Sequence, residues 1–461
     1  MMTPQEFRRH AHEVVDWIAD YLENPGKYPV LAAVEPGRLV DALPPAAPET
    51  GEPFEAMFAD FKNLVLPGMT HWNHPGFMAY FSITGSAPGI LGEMLIAALN
   101  VNGMLWKTSP SATELEQVSL GWLRQWIGLP EEFFGIVYDT ASISTMHAIA
   151  AAREAADPEA RTRGARPGLT LYTSEHAHSS VEMGAIALGI GQQYVRKIAA
   201  DDRFRMRVDL LEQAMERDRA EGLRPFCVSA TVGTTSTTSV DPVNAIADVA
   251  ARHGAWLHVD AAYAGSAAVL PECRWAFEGI ERADSMVTNP HKWLFTPTDF
   301  SAFFTRRPEI LRRAFSLIPE YLRTADHPRA VNMMDYGVQL GRRFRALKFW
   351  FVLRSFGREG VAEILRRQIG WASEFASWVE SDERFELAAP VPFSVICFRH
   401  KAGDDANRAI MERVNASGDI FISHTALHGR IVLRVALGNA ATTRAHVERA
   451  WQLIQEAAAA L

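Results

Sequence analysis

The sequence predicts an α/β fold in which a largely parallel sheet is covered by helices on both faces. Between Gly85 and Arg306, short apolar runs alternate with stretches of helical periodicity, and this alternation is typical of such a sheet. The composition is that of a globular chain, with 48% hydrophobic and 22% charged residues. At 461 residues the chain is long enough for two or three domains.

The N-terminal segment is predicted to be an amphipathic helix. Thr3 is the expected N-cap, Pro4 takes the first helical position and Glu6 completes a capping box. One face of this helix carries the apolar residues Phe7, Val14, Val15, Ile18, Tyr21 and Leu22. Residues 24–53 are rich in proline and lack a sustained period. We therefore expect this arm to lie across another surface, which in a homo-oligomer belongs to the partner subunit.

Short apolar runs predict six strands in the central region. They are Gly135 to Tyr138, Leu169 to Thr173, Phe226 to Thr231, Trp256 to Val259, Met286 to Thr288 and Ala302 to Thr305. A helix between the third and fourth strands is marked by Asp241 as N-cap, Pro242 at the first helical position and Gly254 just past its end.

The C-terminal part of the chain predicts a smaller α+β domain. After Arg345 the helical period returns, two strands follow over 395–398 and 431–435, and a final helix carries Val447, Trp451 and Ile454. The expected organisation is an N-terminal helical arm over 1–84, a large α/β domain over 85–347 and a small α+β domain over 348–461.

Composition and charge argue against several classes of partner. The formal net charge is -8 and no basic block is present, which disfavours nucleic acid. No apolar run reaches the roughly 18 residues of a membrane span. Three cysteines lie far apart, which suits a reducing compartment. We expect a cytoplasmic protein without a membrane partner.

Reactive side chains follow several predicted strands, at the edge where parallel strands bring ligands together. Residues 139–145 offer small and hydroxyl side chains at a helix start, which suits either an anion site or an ordinary helix cap. His176 and His178 follow the next strand, and a metal is disfavoured because no third ligand has a supporting spacing. Asp260 ends a later strand and requires a cation, a metal, a protonated ring nitrogen or a turn to cap. Lys292 follows another strand.

The position of Lys292 suggests amine chemistry. The chain has seven lysines and otherwise supplies positive charge with arginine, which cannot act as a nucleophilic amine. An anion site, a stacking imidazole, a carboxylate and this amine match the phosphate, ring face, ring nitrogen and aldehyde of pyridoxal 5'-phosphate (PLP). The sequence therefore predicts a PLP site.

Six segments spread over the chain carry a resemblance to a known family. They are Glu6-Phe7-Arg8-Arg9, residues 34–37 (VEPG), His71-Trp72, residues 109–116 (SPSATELE), residues 289–293 (NPHKW) and residues 340–345 (LGRRFR). In these segments the chain resembles the PLP-dependent group II decarboxylases and, within them, the aromatic-L-amino-acid decarboxylases. The resemblance implies an aspartate-aminotransferase-type fold (fold type I) with a seven-stranded, mainly parallel sheet. It also implies a homodimer with shared active sites.

The resemblance also implies roles for individual residues. Lys292 would bind the cofactor aldehyde, His178 would stack on the ring and Asp260 would keep the ring nitrogen protonated. Ala262 would pack on the opposite ring face. Further cofactor contacts are implied for Ala141, Ser142, Thr235, Asn289 and His291. The residues implied in catalysis are Lys292, His178, Asp260, His291 and Tyr321, of which Tyr321 would protonate the product carbon.

Substrate contacts are implied for an aromatic segment and for scattered positions elsewhere, namely Trp72, Phe77, Tyr80, Phe81, Ile83, Asn102, Met104 and Gly341. No cation in the aromatic segment would pair with a side-chain carboxylate, so glutamate is disfavoured, whereas tryptophan, phenylalanine, tyrosine and DOPA stay open. Animal relatives have Pro-Thr, Ile and Phe where this chain has Ser82-Ile83, Asn102 and Met104. Three alternatives follow: an aldehyde synthase, a decarboxylase of another amino acid, or a cofactor-binding regulator without turnover.

Overall fold

The computed structural model describes residues 2–317 and 329–461. The helices in these residues are α1 (Pro4–Glu23), α2 (Arg38–Ala42), α3 (Phe54–Asp60), α4 (Ala87–Leu99), α5 (Pro110–Ile127), α6 (Ala141–Ala156), α7 (Ala160–Arg163), α8 (Ser180–Ala187), α9 (Val208–Ala220), α10 (Val243–His253), α11 (Pro290–Trp293), α12 (Pro308–Phe315), α13 (Ala346–Ser381), α14 (Asp404–Ala416) and α15 (Arg444–Ala459).

Two sheets organise the molecule. The strands are β1 (Phe134–Tyr138), β2 (Leu169–Ser174), β3 (Val195–Ile198), β4 (Arg224–Thr231), β5 (Trp256–Asp260), β6 (Ser285–Thr288), β7 (Ser301–Thr305), β8 (Phe385–Leu387), β9 (Val395–His400), β10 (Ser423–Leu427) and β11 (Arg430–Ala436). The first sheet has seven strands in the order β1-β7-β6-β5-β4-β2-β3, and the second has four in the order β10-β11-β9-β8. In the first sheet β7 alone runs opposite to the other six strands. This arrangement confirms the predicted fold class.

Side chains that alternate along the strands build a core on each face of the seven-stranded sheet. Val137 packs with α5, α9 and α10 on one face, whereas Ile136 and Tyr138 pack with α6, α8 and α12 on the other. The four-stranded sheet has a separate core, in which Phe398 and Trp451 pack with α13 and α15. The helices thus hold the carboxyl ends of β4, β5 and β6 at one edge of the first sheet.

The six strands predicted in the central region are all present, and the two predicted near the C-terminus are present as well. The sequence missed β3, β8 and β10, which are edge strands of the two sheets. An edge strand has polar residues among its apolar ones because one side faces solvent; β3, for example, contains Arg196 and Lys197. The apolar runs that identified the other strands are therefore interrupted here.

One predicted helix start is wrong. Asp241 does not cap α10, because the helix begins at Val243 and Pro242 occupies the capping position without a side-chain hydrogen bond. The Asp241 carboxylate instead accepts hydrogen bonds from the backbone N–H groups of Met206 and Thr231, at 2.7 and 2.8 Å. The carboxylate thus joins two backbone segments instead of capping the helix that follows it.

Other predicted helix ends are confirmed. At α1, the Thr3 side chain accepts from the Glu6 N–H while the Glu6 carboxylate accepts from the Thr3 N–H, which is a complete capping box. At α10, Gly254 follows the last turn with a φ of 63°, a left-handed conformation that glycine adopts without strain.

Within residues 2–317 and 329–461, no helix combines the length and apolar character that a membrane crossing requires.

Candidate active site

A cavity of about 220 Å³, which we call the Lys292 cavity, lies at the carboxyl edge of the seven-stranded sheet. Thr231 and Asp260 end β4 and β5 at this cavity, Asn289 follows β6, and Thr140 follows β1. The cavity lining includes every residue predicted to contact the cofactor: Ala141, Ser142, His178, Thr235, Asp260, Ala262, Asn289, His291 and Lys292. The structure thus brings together residues that are separated by up to 151 positions in the sequence.

Lys292 lies in the short helix α11 and is half-buried in the single chain. Its Nζ atom is 5.3 Å from the centroid of the Phe81 ring. Burial lowers the pKa of Lys292, the positive charge of Arg434 lowers it further, and the carboxylate of Asp260 opposes both effects. A lowered pKa increases the fraction of neutral amine, which is the nucleophilic form.

Asp260 places a buried carboxylate in the same cavity. Its residue surface is 5% exposed, and Oδ1 accepts a hydrogen bond from the Ala262 N–H at 3.0 Å. The carboxylate acts electrostatically on Lys292 and on His178, since its charge raises the pKa of both. A buried carboxylate of this kind stabilises a positive charge placed next to it.

His178 is held in one orientation by the backbone that starts α8. Its Nδ1 accepts a hydrogen bond from the Ser180 N–H at 3.1 Å, so the neutral ring carries its proton on Nε2. Burial lowers the pKa of His178, and Lys292 lowers it further against the opposing effect of Asp260. The neutral imidazole thus presents a flat face and one N–H donor.

The part of the cavity next to α6 offers donors for an anion. Thr140 is the N-cap of α6 but makes no side-chain capping bond, so the first N–H groups of the helix have no side-chain acceptor from that residue. Ser142 adds a hydroxyl, and Asn289 places its side-chain amide 3.3 Å from Nε2 of His291. The pKa of His291 is lowered to about 3, chiefly by burial, and its Nδ1 accepts from the Phe300 N–H at 2.8 Å.

Comparison with known proteins assigns the family. Residues 36–401 match the model of the pyridoxal-dependent decarboxylase conserved domain. Aromatic-L-amino-acid decarboxylase of Bos taurus is 41% identical over 476 residues, covering 99% of this chain and 97% of the relative. Phenylacetaldehyde synthase of Arabidopsis thaliana is 40% identical over 479 residues, covering 100% and 97%. Among solved structures, Oryza sativa TDC with PLP and tryptamine is similar with a TM-score of 0.96 and 37% identity, covering 100% of this chain and 99% of that chain.

The chain belongs to the pyridoxal-dependent decarboxylase family. The cofactor of this decarboxylase is therefore PLP. The donor set in the cavity fits that group, since it contains an amine, a buried carboxylate, the imidazole of His178 and a helix N-terminus. These features match the aldehyde, ring nitrogen, ring face and phosphate of PLP respectively.

The sequence missed Arg434, a buried residue of β11 that approaches the cavity of the decarboxylase. Its guanidinium carbon lies 4.9 Å from the centroid of the Phe81 ring. The guanidinium donates hydrogen bonds to the carbonyl oxygens of Ala79 at 2.8 Å, Thr235 at 3.0 Å and Ser236 at 3.2 Å. A single arginine within the apolar run of β11 is the sequence signal that could have identified it.

The sequence also missed an aromatic stack that closes one side of the cavity. The Tyr263 ring lies between Phe81 and Trp293, with centroid distances of 3.8 and 4.5 Å and interplanar angles of 11° and 4°. The hydroxyl of Tyr263 is 2.5 Å from Oγ of Ser394. Tyr263 follows Asp260 by three positions, just past the carboxyl end of β5. From there its ring holds Phe81 next to Lys292.

Most predicted substrate residues lie outside this cavity. Of the eight, Phe81 alone is part of the cavity lining. Phe77 is fully buried and stacks on Trp72 with a centroid distance of 4.3 Å. Tyr80 is 51% exposed and packs at the edge of Phe421.

Asn102, Met104 and Gly341 form a separate cluster. Oδ1 of Asn102 accepts a hydrogen bond from the Arg342 N–H at 2.9 Å, and its Nδ2 lies 3.6 Å from Sδ of Met104. A Cβ atom at Gly341 would lie 3.8 Å from the same Nδ2. Asn102 and Gly341 are exposed on the surface of the chain. Tyr321 lies outside the described residues.

Proposed function

We propose that this decarboxylase converts aromatic L-amino acids to the corresponding amines and carbon dioxide. The observation that carries the proposal is the convergence of Lys292, Asp260 and His178 in one cavity. The family of the chain and the names of its relatives, which include an aromatic-L-amino-acid decarboxylase, support this substrate class.

Each residue of the cavity has a proposed role. Lys292 would hold the cofactor through its side-chain amine. Asp260 would keep a proton on the ring nitrogen through its buried negative charge, and Ala262 and His178 would hold the ring between them. PLP, when bound, accepts the electron pair that is left when carbon dioxide departs.

The remaining cofactor contacts are proposed to hold the phosphate and orient the ring. Ala141 and Ser142 offer the N-terminus of α6, and Asn289, His291 and Thr235 line the same cavity. The lowered pKa of His291 favours the neutral ring. His291 would therefore act near the phosphate as a neutral hydrogen-bonding group, with no additional positive charge.

We also propose that two chains share each active site. Asn102 and Gly341 are exposed on a single chain, and they are not part of the lining of the Lys292 cavity. If they contact substrate, as the resemblance implies, they do so in the active site of a partner subunit. A homodimer satisfies this condition with the smallest number of chains.

The alternative chemistry is that of an aldehyde synthase, since relatives of nearly equal identity include enzymes named for each activity. Product analysis by mass spectrometry decides between the two. The purified, PLP-loaded protein is incubated under air with a mixture of L-amino acids, and amines from the aromatic members alone support the proposal. Aldehydes with hydrogen peroxide, or amines from non-aromatic members, contradict it.

A further inference from the structure

A second cavity, of about 790 Å³, lies at the opposite edge of the seven-stranded sheet. We call it the basal groove. It is formed where β4 and β5 begin, at Arg224 and Trp256, whereas the Lys292 cavity is formed where these strands end. The seven residue steps from Arg224 to Thr231 separate the two by about 23 Å. A ligand in the basal groove would therefore not touch the decarboxylation site.

The basal groove has a large excess of positive charge. One carboxylate, Asp284, lines it, together with the basic residues Arg219, Arg224, His253, Arg282, Arg306 and Arg307. Asp284 lies 3.9 Å from Arg306 and 3.7 Å from Arg307, so its single charge is shared between two guanidinium groups. Arg282 is paired with Asp248 at 2.6 Å, and the remaining arginines still give the groove a positive net charge although the whole chain carries -8.

Several donors in the basal groove lack an acceptor. Arg219 and Arg224 make no ion pair and no side-chain hydrogen bond with the described residues. Nε of Arg306 and Nδ1 of His253 are buried and have no hydrogen-bond partner in the part of the chain that the structure describes. Buried polar groups are nearly always paired in folded proteins. The buried Nε of Arg306 therefore indicates a missing acceptor, and the exposed guanidinium groups of Arg219 and Arg224 are free to bind the same group.

Helix dipoles explain only part of this charge. Arg219 lies in the last turn of α9 and His253 in the last turn of α10, where a cation stabilises the negative end of a helix. Arg224 lies in a strand, and Arg306 and Arg307 follow β7, so no helix end accounts for them. The last carbonyl groups of α10 are already bonded, since Ala251 and Ala250 accept from the two residues that follow the helix.

The floor of the basal groove is apolar. Alanine residues of α6 and α10, together with Pro225 and Phe226, form it. The Arg307 guanidinium lies over the Trp256 ring, 5.3 Å from its centroid, and this stacking fixes the direction of its donors. A cationic rim over an apolar floor suits an organic ligand that carries several negative charges.

We propose that the basal groove binds a compact polyanion, with phosphate or carboxylate groups, at a site separate from the decarboxylation centre. A small ligand fits the concave groove, whereas an extended nucleic acid would also meet the negative surface of the rest of the chain.

Calorimetric titration of the PLP-saturated holoenzyme tests the proposal. Inorganic triphosphate and citrate are the two probes, and each is expected to bind saturably with one site per chain. The variant Arg219→Ala/Arg224→Ala should weaken the affinity at least tenfold, because both guanidinium groups are free to pair with the anion. Arg217→Ala is the matched control, since Arg217 lies in the same last turn of α9 but does not line the groove. Its affinity should stay within twofold of wild type.

The probes and controls separate the possible outcomes. Stronger binding of triphosphate indicates a phosphate ligand, and stronger binding of citrate indicates a carboxylate ligand. Absence of saturable binding at millimolar concentration overturns the proposal, and so does an equal loss in the Arg217→Ala variant. Tighter binding of a single-stranded oligonucleotide than of triphosphate, lost in the double variant, would assign the groove to nucleic acid instead. Decarboxylation should be unchanged in the double variant, which shows that it folds.

A second measurement is made on the wild-type protein, with the groove unchanged. Burial and the charge of Arg219 lower the pKa of His253, and a bound anion would oppose that charge. The His253 pKa, followed by NMR with a His253→Asn variant for assignment, should therefore rise when triphosphate is added. An unchanged pKa at saturating triphosphate would place the anion elsewhere and contradict the proposal.

Discussion

Asp260 and Lys292 line the same cavity and interact electrostatically, and this interaction gives the clearest test of the proposed mechanism. Asp260→Asn keeps the shape of the side chain and removes its charge. Removal of one such electrostatic group typically lowers kcat by about 10²- to 10³-fold, and we expect a loss of that size in the rate of amine formation. The fold should be retained, as followed by circular dichroism.

A matched control for Asp260 lies at the opposite edge of the sheet. Asp284 is also largely buried and accepts a hydrogen bond from the Leu257 N–H at 2.9 Å. Asp284→Asn should leave kcat close to that of wild type, because the site is remote from Lys292. Equal kcat values for Asp260→Asn and wild type would remove Asp260 from the mechanism.

Tyr321 carries the second prediction at the residue scale. We expect Tyr321→Phe to lower the amine yield and raise the aldehyde yield under air, because the ring is kept while the proton-donating hydroxyl is lost. The ratio of amine to aldehyde is measured by mass spectrometry. Tyr336→Phe serves as the control, since Tyr336 packs on Phe134 with a centroid distance of 4.9 Å and does not line the Lys292 cavity. An unchanged product ratio for Tyr321→Phe would exclude this residue as the donor.

The residues of the Lys292 cavity were predictable from the sequence. Parallel strands bring their carboxyl ends to one edge, and reactive side chains follow those ends. Asp260 and Lys292 are both found by this rule. Arg434 is not, since it lies in the middle of an antiparallel strand of the second sheet and reaches the cavity only through the packing of the two sheets. Asn102 and Gly341 do not follow the end of a strand in this sheet, so the rule says nothing about their place.

At the scale of elements, a buried ion pair joins α5, β1 and the segment after residue 340. Oε1 of Glu116 accepts hydrogen bonds from the Val137 N–H at 2.9 Å and from the Arg342 guanidinium at 2.8 Å. The Arg342 guanidinium also donates to the Val137 carbonyl oxygen at 2.7 Å. Two segments of the family resemblance, one containing Glu116 and one containing Arg342, therefore meet at the strand that leads to α6.

Removing one partner of this ion pair should lower the stability of the fold. Glu116→Ala leaves the Arg342 charge buried and unpaired, and we expect the free energy of unfolding in urea to fall by about 3–5 kcal/mol. Glu116→Leu combined with Arg342→Met should recover most of that loss, because no charge is then buried. The exposed pair of Glu272 and Arg366 is the control, and Glu272→Ala should cost under about 1 kcal/mol. A similar loss in both single variants would contradict the assigned role of burial.

His147 links α6 to the segment at residue 338 and makes stability depend on pH. Its Nδ1 donates to the Ile143 carbonyl oxygen at 2.7 Å, and its Nε2 accepts from the Val338 N–H at 3.0 Å, which requires the neutral ring. Burial lowers the pKa of His147 from 6.5 to about 4. Between these pH values the unfolded chain binds a proton that the folded chain does not, so stability falls as the pH falls.

The pH dependence can be assigned to His147 by substitution. His147→Gln keeps a donor and an acceptor but cannot bind the proton. The unfolding free energy, measured in urea at several pH values between 6.5 and 4, should then depend less steeply on pH. The difference should reach at most about 1.4 kcal/mol per pH unit, the value for one proton. His424→Gln, at an exposed position, should leave the slope unchanged; an equal change there would contradict the assignment.

At the scale of the whole molecule, α4 leaves an apolar stripe uncovered. Leu91, Met94, Leu95 and Leu99 are 54%, 42%, 45% and 59% exposed, and their spacing places them along one side of the helix. The opposite side packs so closely on α13 that a Cβ atom at Gly92 would lie 2.6 Å from Cα of Lys348. An apolar stripe of this kind is typical of a surface that another chain covers.

The proposed homodimer therefore predicts a linked loss of assembly and activity. Wild type should sediment at twice the chain mass in analytical ultracentrifugation, and Leu95→Glu/Leu99→Glu should sediment as the monomer, because two charges would be buried without partners. The monomer should also lose decarboxylation if Asn102 and Gly341 act in the partner's active site. Trp275→Glu, at an exposed apolar residue remote in sequence from α4 (57% exposed), should keep both the dimer and the activity. An active monomer would show that each chain builds its own substrate site, and Asn102 and Gly341 would then have no contact with substrate.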